Sequence, residues 1–142
     1  MKGFCSDYPG IYIPKNKTLT IKGGGSLDTS SNGWGAGIGG GYYIDCGDIH
    51  IEGGNITASG GRETAGIGSG SDSTCGDITI SGGSVTATGG LYAAGIGSGD
   101  SGKYGSITIG EGITSVIAKT LDCQGDQVPI GNGAFIAQTP PV

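Results

Sequence analysis

The sequence predicts an all-β chain folded as a single-stranded parallel β-helix, a β-solenoid of four to five rungs with about 29 residues in each. The base rate of parallel crossover connections makes it right-handed. Three observations carry this reading. Gly accounts for 34 of the 142 residues. Pairs of Gly recur at fixed offsets along the chain. Between them lie short runs in which apolar residues alternate with hydroxyl-bearing ones, the period-2 signature of a strand. A flexible linker shares the glycine content but has no reason to keep register. Collagen needs Gly at every third position and far more Pro than the five present.

The register is read by aligning copies. Residues 47–61 (Gly-Asp-Ile-His-Ile-Glu-Gly-Gly-Asn-Ile-Thr-Ala-Ser-Gly-Gly) align without a gap on residues 76–90, and Gly105 to Gly110 begins a further copy. The first two run on into Ala-Gly-Ile-Gly-Ser-Gly at 65–70 and 94–99. An earlier copy extends from Thr18 to Gly41 with one extra residue at the Gly23 to Gly25 turn, and a degenerate last copy reaches Gly133.

Each copy divides into three strand segments separated by glycine corners. The first turns Ile49 and Ile51 inward around His50. The second turns Val85 and Ala87 inward and Thr86 and Thr88 outward. In the third, Ala65 and Ile67 share a side. Equivalent residues on successive rungs stack about 4.8 Å apart. The predicted core is therefore four ladders: Leu19-Ile49-Ile78-Ile107, Ile21-Ile51-Ile80-Ile109, Leu27-Ile56-Val85 and Ile38-Ile67-Ile96-Ile130. Gly53-Gly54 and Gly82-Gly83 supply corners that need positive φ. Residues 1–15, with Ile11 and Ile13 around Tyr12, are expected to cap the N-terminal end, since a short solenoid needs closed ends. The whole of 1–142 reads as one domain, with 134–142 as a tail or the start of a linker. Both ends read as cut from a longer chain, with no leader visible.

Charge narrows the function classes. The net charge is −5 with seven Lys plus Arg, so no basic stripe for nucleic acid exists. No run approaches the ~20 apolar residues of a membrane span, so no membrane insertion is expected.

The run Ile-Thr-Ile-x-Gly-Gly-x-Val-Thr-Ala-x-Gly-Gly followed by Ala-Gly-Ile-Gly-Ser-Gly resembles the Gly-rich β-helix repeats of large secreted or surface proteins of anaerobic and gut bacteria. The resemblance covers roughly Lys17 to Gly133. Those proteins mostly lack an assigned activity, and carbohydrate binding and adhesion are the usual suggestions. The resemblance implies an extracellular or cell-surface location.

Candidate sites follow from the columns. If Ala65 and Ile67 point inward, Gly66, Gly68, Gly95 and Gly97 point outward and form a face almost without side chains. Such a face suits a sugar ring, or self-association with a second solenoid. Aromatic residues border it: Trp34 and Tyr92 share one column, and Tyr42 and Tyr43 follow the first copy. Rings beside a polar surface suit stacking on sugars; the plain alternative is that they shield core corners. Asp48 and Asp77 stack in one column, and with the loop acids Asp45, Asp72 and Asp100 they are the candidate ligands for calcium, against solvated surface acids. No other cofactor is expected. Cys46 and Cys75, 29 residues apart, stack closely enough for a disulfide or a reduced buried pair. Cys5 and Cys123 lie towards opposite ends and are not expected to pair.

Catalysis finds no support in the columns. The only His, His50, stands in a ladder of Thr20, Thr79 and Thr108, and no basic residue shares the Asp48 column. No nucleophile set is legible. The sequence is therefore read as a non-catalytic extracellular module that binds polysaccharide or mediates adhesion. A structural stalk or self-associating scaffold is the alternative, and a polysaccharide lyase or hydrolase and an ice-binding face (from the partial Thr-x-Thr array at 28–30, 57–59 and 86–88) are weaker ones.

Overall fold

The computed structural model describes residues 8–121, 128–131 and 133. Its 13 strands are β1 (Ile11–Tyr12), β2 (Thr18–Ile21), β3 (Ser26–Ser30), β4 (Ile38–Gly39), β5 (Asp48–Ile51), β6 (Asn55–Ser59) and β7 (Ile67–Gly68). They continue as β8 (Ile78–Ile80), β9 (Gly83–Thr88), β10 (Ile96–Gly97), β11 (Ile107–Ile109), β12 (Ile113–Lys119) and β13 (Ile130–Gly131). Every third strand falls in the same sheet. The orders are β1-β4-β7-β10-β13, β11-β8-β5-β2 and β12-β9-β6-β3. All pairings between these strands are parallel. The fold is thus a β-solenoid, with strands β2 to β13 making four turns of three strands each and β1 standing ahead of them.

The apolar ladders are those the alternation predicts. Leu19, Ile49, Ile78 and Ile107 are in register, as are Ile21, Ile51, Ile80 and Ile109. Leu27, Ile56 and Val85 continue to Val116, and Ile38, Ile67, Ile96 and Ile130 are preceded by Ile11. In the middle turns these side chains are completely buried. Each buried Ile removes enough apolar surface from water to contribute roughly 1.5–3 kcal/mol. The backbone polar groups are satisfied between turns: the Ile49 N–H, for example, donates to the Asp77 carbonyl at 2.9 Å.

The repeat is disturbed in two places. The turn between β2 and β3 holds one residue more than its equivalent, so the offset changes from Ile21↔Ile51 to Ser26↔Asn55 without breaking either ladder. In β12 the register shifts between Ile113 and Ser115, a bulge that bends the last long strand. Within the expected cap, Ile11 and Tyr12 pair with β4 and Ile13 is buried. The rest of the cap before Tyr8, Cys5, Cys123 and the expected tail at 134–142 lie outside the described residues. Among the described residues no helix is long and apolar enough to cross a membrane.

The expected glycine face is corrected. Gly66, Gly68, Gly95 and Gly97 are buried, not laid open on a surface. A Cβ on Gly66 would lie 2.7 Å from the Thr88 nitrogen and 2.9 Å from the Ala58 carbonyl oxygen. The missing side chain therefore points into the packed ends of β6 and β9. At Gly68 φ is +135°, and a Cβ there would strike the carbonyl of Gly97 on the next turn. These residues are glycine because backbones meet there. The face offers neither a sugar seat nor a self-association surface.

Candidate functional site

Each turn has a corner before and a corner after its short Gly-Ile-Gly segment. The segment is a tight bend: the Ala65 N–H donates to Ser69 O at 3.1 Å, and the Ala36 and Ala94 amides donate in the same way to Gly40 and Ser98. Both corners hold a non-glycine residue in the left-handed region on several turns. Glu63 and Tyr92 have φ of 58° in one column, and Tyr43, Asp72 and Ser101 have φ of 54°, 54° and 57° in the other. A non-Gly residue there costs roughly 1–2 kcal/mol; Tyr43, Asp72 and Tyr92 are exposed, and Glu63 and Ser101 half-buried. Gly is abundant in this chain, so its absence from these positions is informative.

The structure gathers three of the four aromatic candidates. The Trp34 and Tyr42 rings lie 5.4 Å apart with planes tilted by 40°, and Tyr42 and Tyr43 lie 4.5 Å apart at 61°. Arg62 stands 5.4 Å from the Trp34 ring centre, a cation–π contact. Together they form a curved wall in which Tyr43, 68% exposed, is the most open ring. Tyr92 is also exposed but makes no ring contact among the described residues; it stands two turns from Trp34 in the same column.

Between Trp34 and Tyr92 the column is filled by Glu63, a residue the sequence did not single out. The Asp100 N–H donates to the Glu63 carbonyl at 2.8 Å, and the Asp72 N–H donates to the Asp100 carbonyl at 3.0 Å. The three acids consequently share one edge. Partial burial holds the Glu63 carboxyl above the usual range, Asp100 and Asp72 push in the same direction, and Arg62 opposes them. Asp100 is raised chiefly by burial and further by Asp72, against a hydrogen bond from Ser101. The feature that could have found this edge is the 29-residue column itself, read outward instead of inward.

The Asp48 and Asp77 column stands on successive turns, as the repeat places it. Asp48 Oδ1 accepts the Asp77 N–H at 2.8 Å, and Asp45 Oδ1 accepts the Thr74 N–H at 2.8 Å, each reaching the equivalent position one turn on. Through these bonds Asp48 and Asp45 each brace the next turn. Among the described residues no group of three or more His, Cys, Asp or Glu side chains is arranged to hold a metal ion. Lys15 forms an exposed ion pair with Asp45 at 3.5 Å.

Cys46 and Cys75 are joined in a disulfide with Cα atoms 4.6 Å apart, the separation that stacking gives. Tyr104, next in the column, packs half-buried against the core. The bridge itself is buried in the core; beside it lies a shallow cleft of ≈ 320 Å³ whose lining includes Lys15, Asn16, Asp48 and Thr74.

Comparison with known proteins agrees with this architecture. Residues 19–42, 49–71 and 78–100, one stretch from each of the first three full turns, match a family model described as a beta helix repeat. No curated protein and no solved structure matches the chain. Register, parallel stacking and the family match together identify the chain as carrying a beta-helix repeat region.

Proposed function

We propose that the protein is a non-catalytic extracellular or cell-surface module that binds carbohydrate through the Trp34, Tyr42 and Tyr43 corner. The observation that carries this reading is the contiguous ring wall with Tyr43 exposed at its edge. Exposed rings offer apolar faces to the C–H side of a sugar ring. The flanking Arg62, Glu63, Asp72 and Asp100 offer donors and acceptors to its hydroxyls. A disulfide between turns suits an oxidising compartment outside the cytosol.

The test is affinity electrophoresis through gels containing plant and host polysaccharides. One polymer should retard the protein, and Trp34→Ala combined with Tyr43→Asn should abolish the retardation while the far-UV spectrum is unchanged. Asn is chosen because it tolerates the left-handed backbone. An undiminished shift in the double variant, or no shift with any polymer, would sink the reading. The alternative of a structural stalk is favoured by the exposed apolar side chains of the last turn, Ile109, Ile117, Leu121 and Ile130. It predicts concentration-dependent association in sedimentation that Ile117→Lys removes.

A further inference from the structure

The ring wall stands at the head of two stacked columns. One runs Trp34, Glu63, Tyr92 and the other Tyr43, Asp72, Ser101, one residue from each turn. Equivalent positions on successive turns are about 4.8 Å apart. Rings therefore occupy both columns on the first turn, and carboxylates occupy both on the second. Asp100 completes the same edge. Its N–H donates to the Glu63 carbonyl at 2.8 Å and its carbonyl accepts the Asp72 N–H at 3.0 Å.

The cations nearby do not balance these acids. Arg62 lies 5.4 Å from the Trp34 ring centre and lowers the Glu63 carboxyl, so its charge is directed at groups of its own corner. Lys103 follows Asp100 by three residues and is paired with Thr74, towards the Asp45 side. With both counted, three carboxylates stand against two cations. The acids also act on one another: Asp100 and Asp72 raise Glu63, and Asp72 raises Asp100. At physiological ionic strength a charge is felt over about 8 Å. That distance exceeds the single-turn step from the rings to Glu63 and Asp72.

We infer that the ring corner takes an uncharged polysaccharide and rejects chains bearing carboxylate or sulfate groups, with Glu63 and Asp72 setting the selection. This rests on the carbohydrate reading of the corner and narrows it to one class of polymer. The ring faces attract the C–H side of a sugar whatever else it carries. The acids one turn on impose a cost only on an anion.

The experiment is isothermal titration calorimetry of the full chain at neutral pH with matched pairs of soluble polymers. These are methyl-esterified and de-esterified homogalacturonan, hydroxyethyl cellulose and carboxymethyl cellulose, and guar galactomannan before and after oxidation of its primary hydroxyls to carboxylates. Within a pair that binds, the neutral member should bind about tenfold more tightly. The preference should shrink in salt of about 1 M, where the screening length falls to about 3 Å. Glu63→Gln combined with Asp72→Asn should shrink it at low salt as well; Asn suits the left-handed backbone at 72. Glu52→Gln combined with Glu111→Gln removes the same charge from exposed positions at another corner and should leave the preference as it was. Equal affinity within a pair that binds, or preference for the anionic member, overturns the selection while carbohydrate binding itself stands. So does a preference that survives high salt or the Glu63 and Asp72 variant, or one that the Glu52 and Glu111 variant loses equally. Binding to none of the polymers would sink the carbohydrate reading and the selection with it.

Discussion

Gly68 and Gly24 look equivalent in composition and differ in what surrounds them. Gly68 has φ of +135° with the Gly97 carbonyl where a Cβ would stand, whereas nothing lies within 4 Å of the corresponding point at Gly24. Gly68→Ala is expected to destabilise by about 3 kcal/mol and Gly24→Ala to stay within about 0.5 kcal/mol, both read from urea midpoints. Ser73 and Gly40 show a finer complementarity. Ser69 and Ser98 accept the Gly99 and Gly133 amides, but the first turn has Gly40 in that column. The Ser73 hydroxyl lies 3.3 Å from where the Gly40 Cβ would be, buried and without a hydrogen-bond partner among the described residues. The acids on the edge carry a pH dependence. Glu63 and Asp100 both titrate higher in the folded chain than the ordinary carboxylate. The folded state therefore holds more protons than the unfolded one just above that ordinary range. Stability is fully present below it and falls as pH rises through the raised values. Glu63→Gln should flatten that fall in urea unfolding carried from the carboxylate range to neutrality; an unchanged slope would remove Glu63 as its source.

At the scale of the element, the disulfide and the ladders act on different states. The bridge closes one full turn, with a sequence separation of 29. Loop closure of that length restricts the unfolded chain by about 3 to 4 kcal/mol. Replacing both Cys46 and Cys75 with Ala should lower stability by about that amount, and reducing the native protein should reproduce the loss. The ladders act through burial in the folded state. Ile78 is completely buried between two turns, while Ile109 on the last turn is 37% exposed. Ile78→Ala should cost roughly 2–5 kcal/mol and Ile109→Ala clearly less, measured by the same unfolding assay. If the two cost the same, the end turn is covered more fully than its exposure indicates.

For the whole molecule, stability is distributed along one axis. Each turn contacts only its neighbours, so the two middle turns are supported from both sides and the end turns from one. Hydrogen exchange should accordingly be slowest for the amides of β5, β6, β8 and β9 and faster in β2, β3, β11 and β12. Uniform protection across all turns would mean that the solenoid opens only as a unit. The same linear arrangement separates the proposed aromatic site from the core. The ring wall sits on a corner, where side chains vary from turn to turn, while the inward positions barely change.

The ladders, the strand pairing and the stacked cysteines were legible in the sequence, because the inward residues repeat with a fixed period and burial tolerates little variation. The corners were legible only in part: the repeat puts Trp34 and Tyr92 in one column, but Glu63 between them resembles neither ring, so nothing in its identity marks it as part of the same edge. The folded contacts were needed to show that Tyr42 and Tyr43 join Trp34 while Tyr92 stands apart, that Lys15 reaches the Asp45 corner, and that Asp48 braces a neighbouring turn. They were also needed to show that the Gly-Ile-Gly segments are packing surfaces. Alternation assigns a side to each residue, but whether that side meets water or another backbone depends on how the segment bends, and the bend is set by contacts between distant turns.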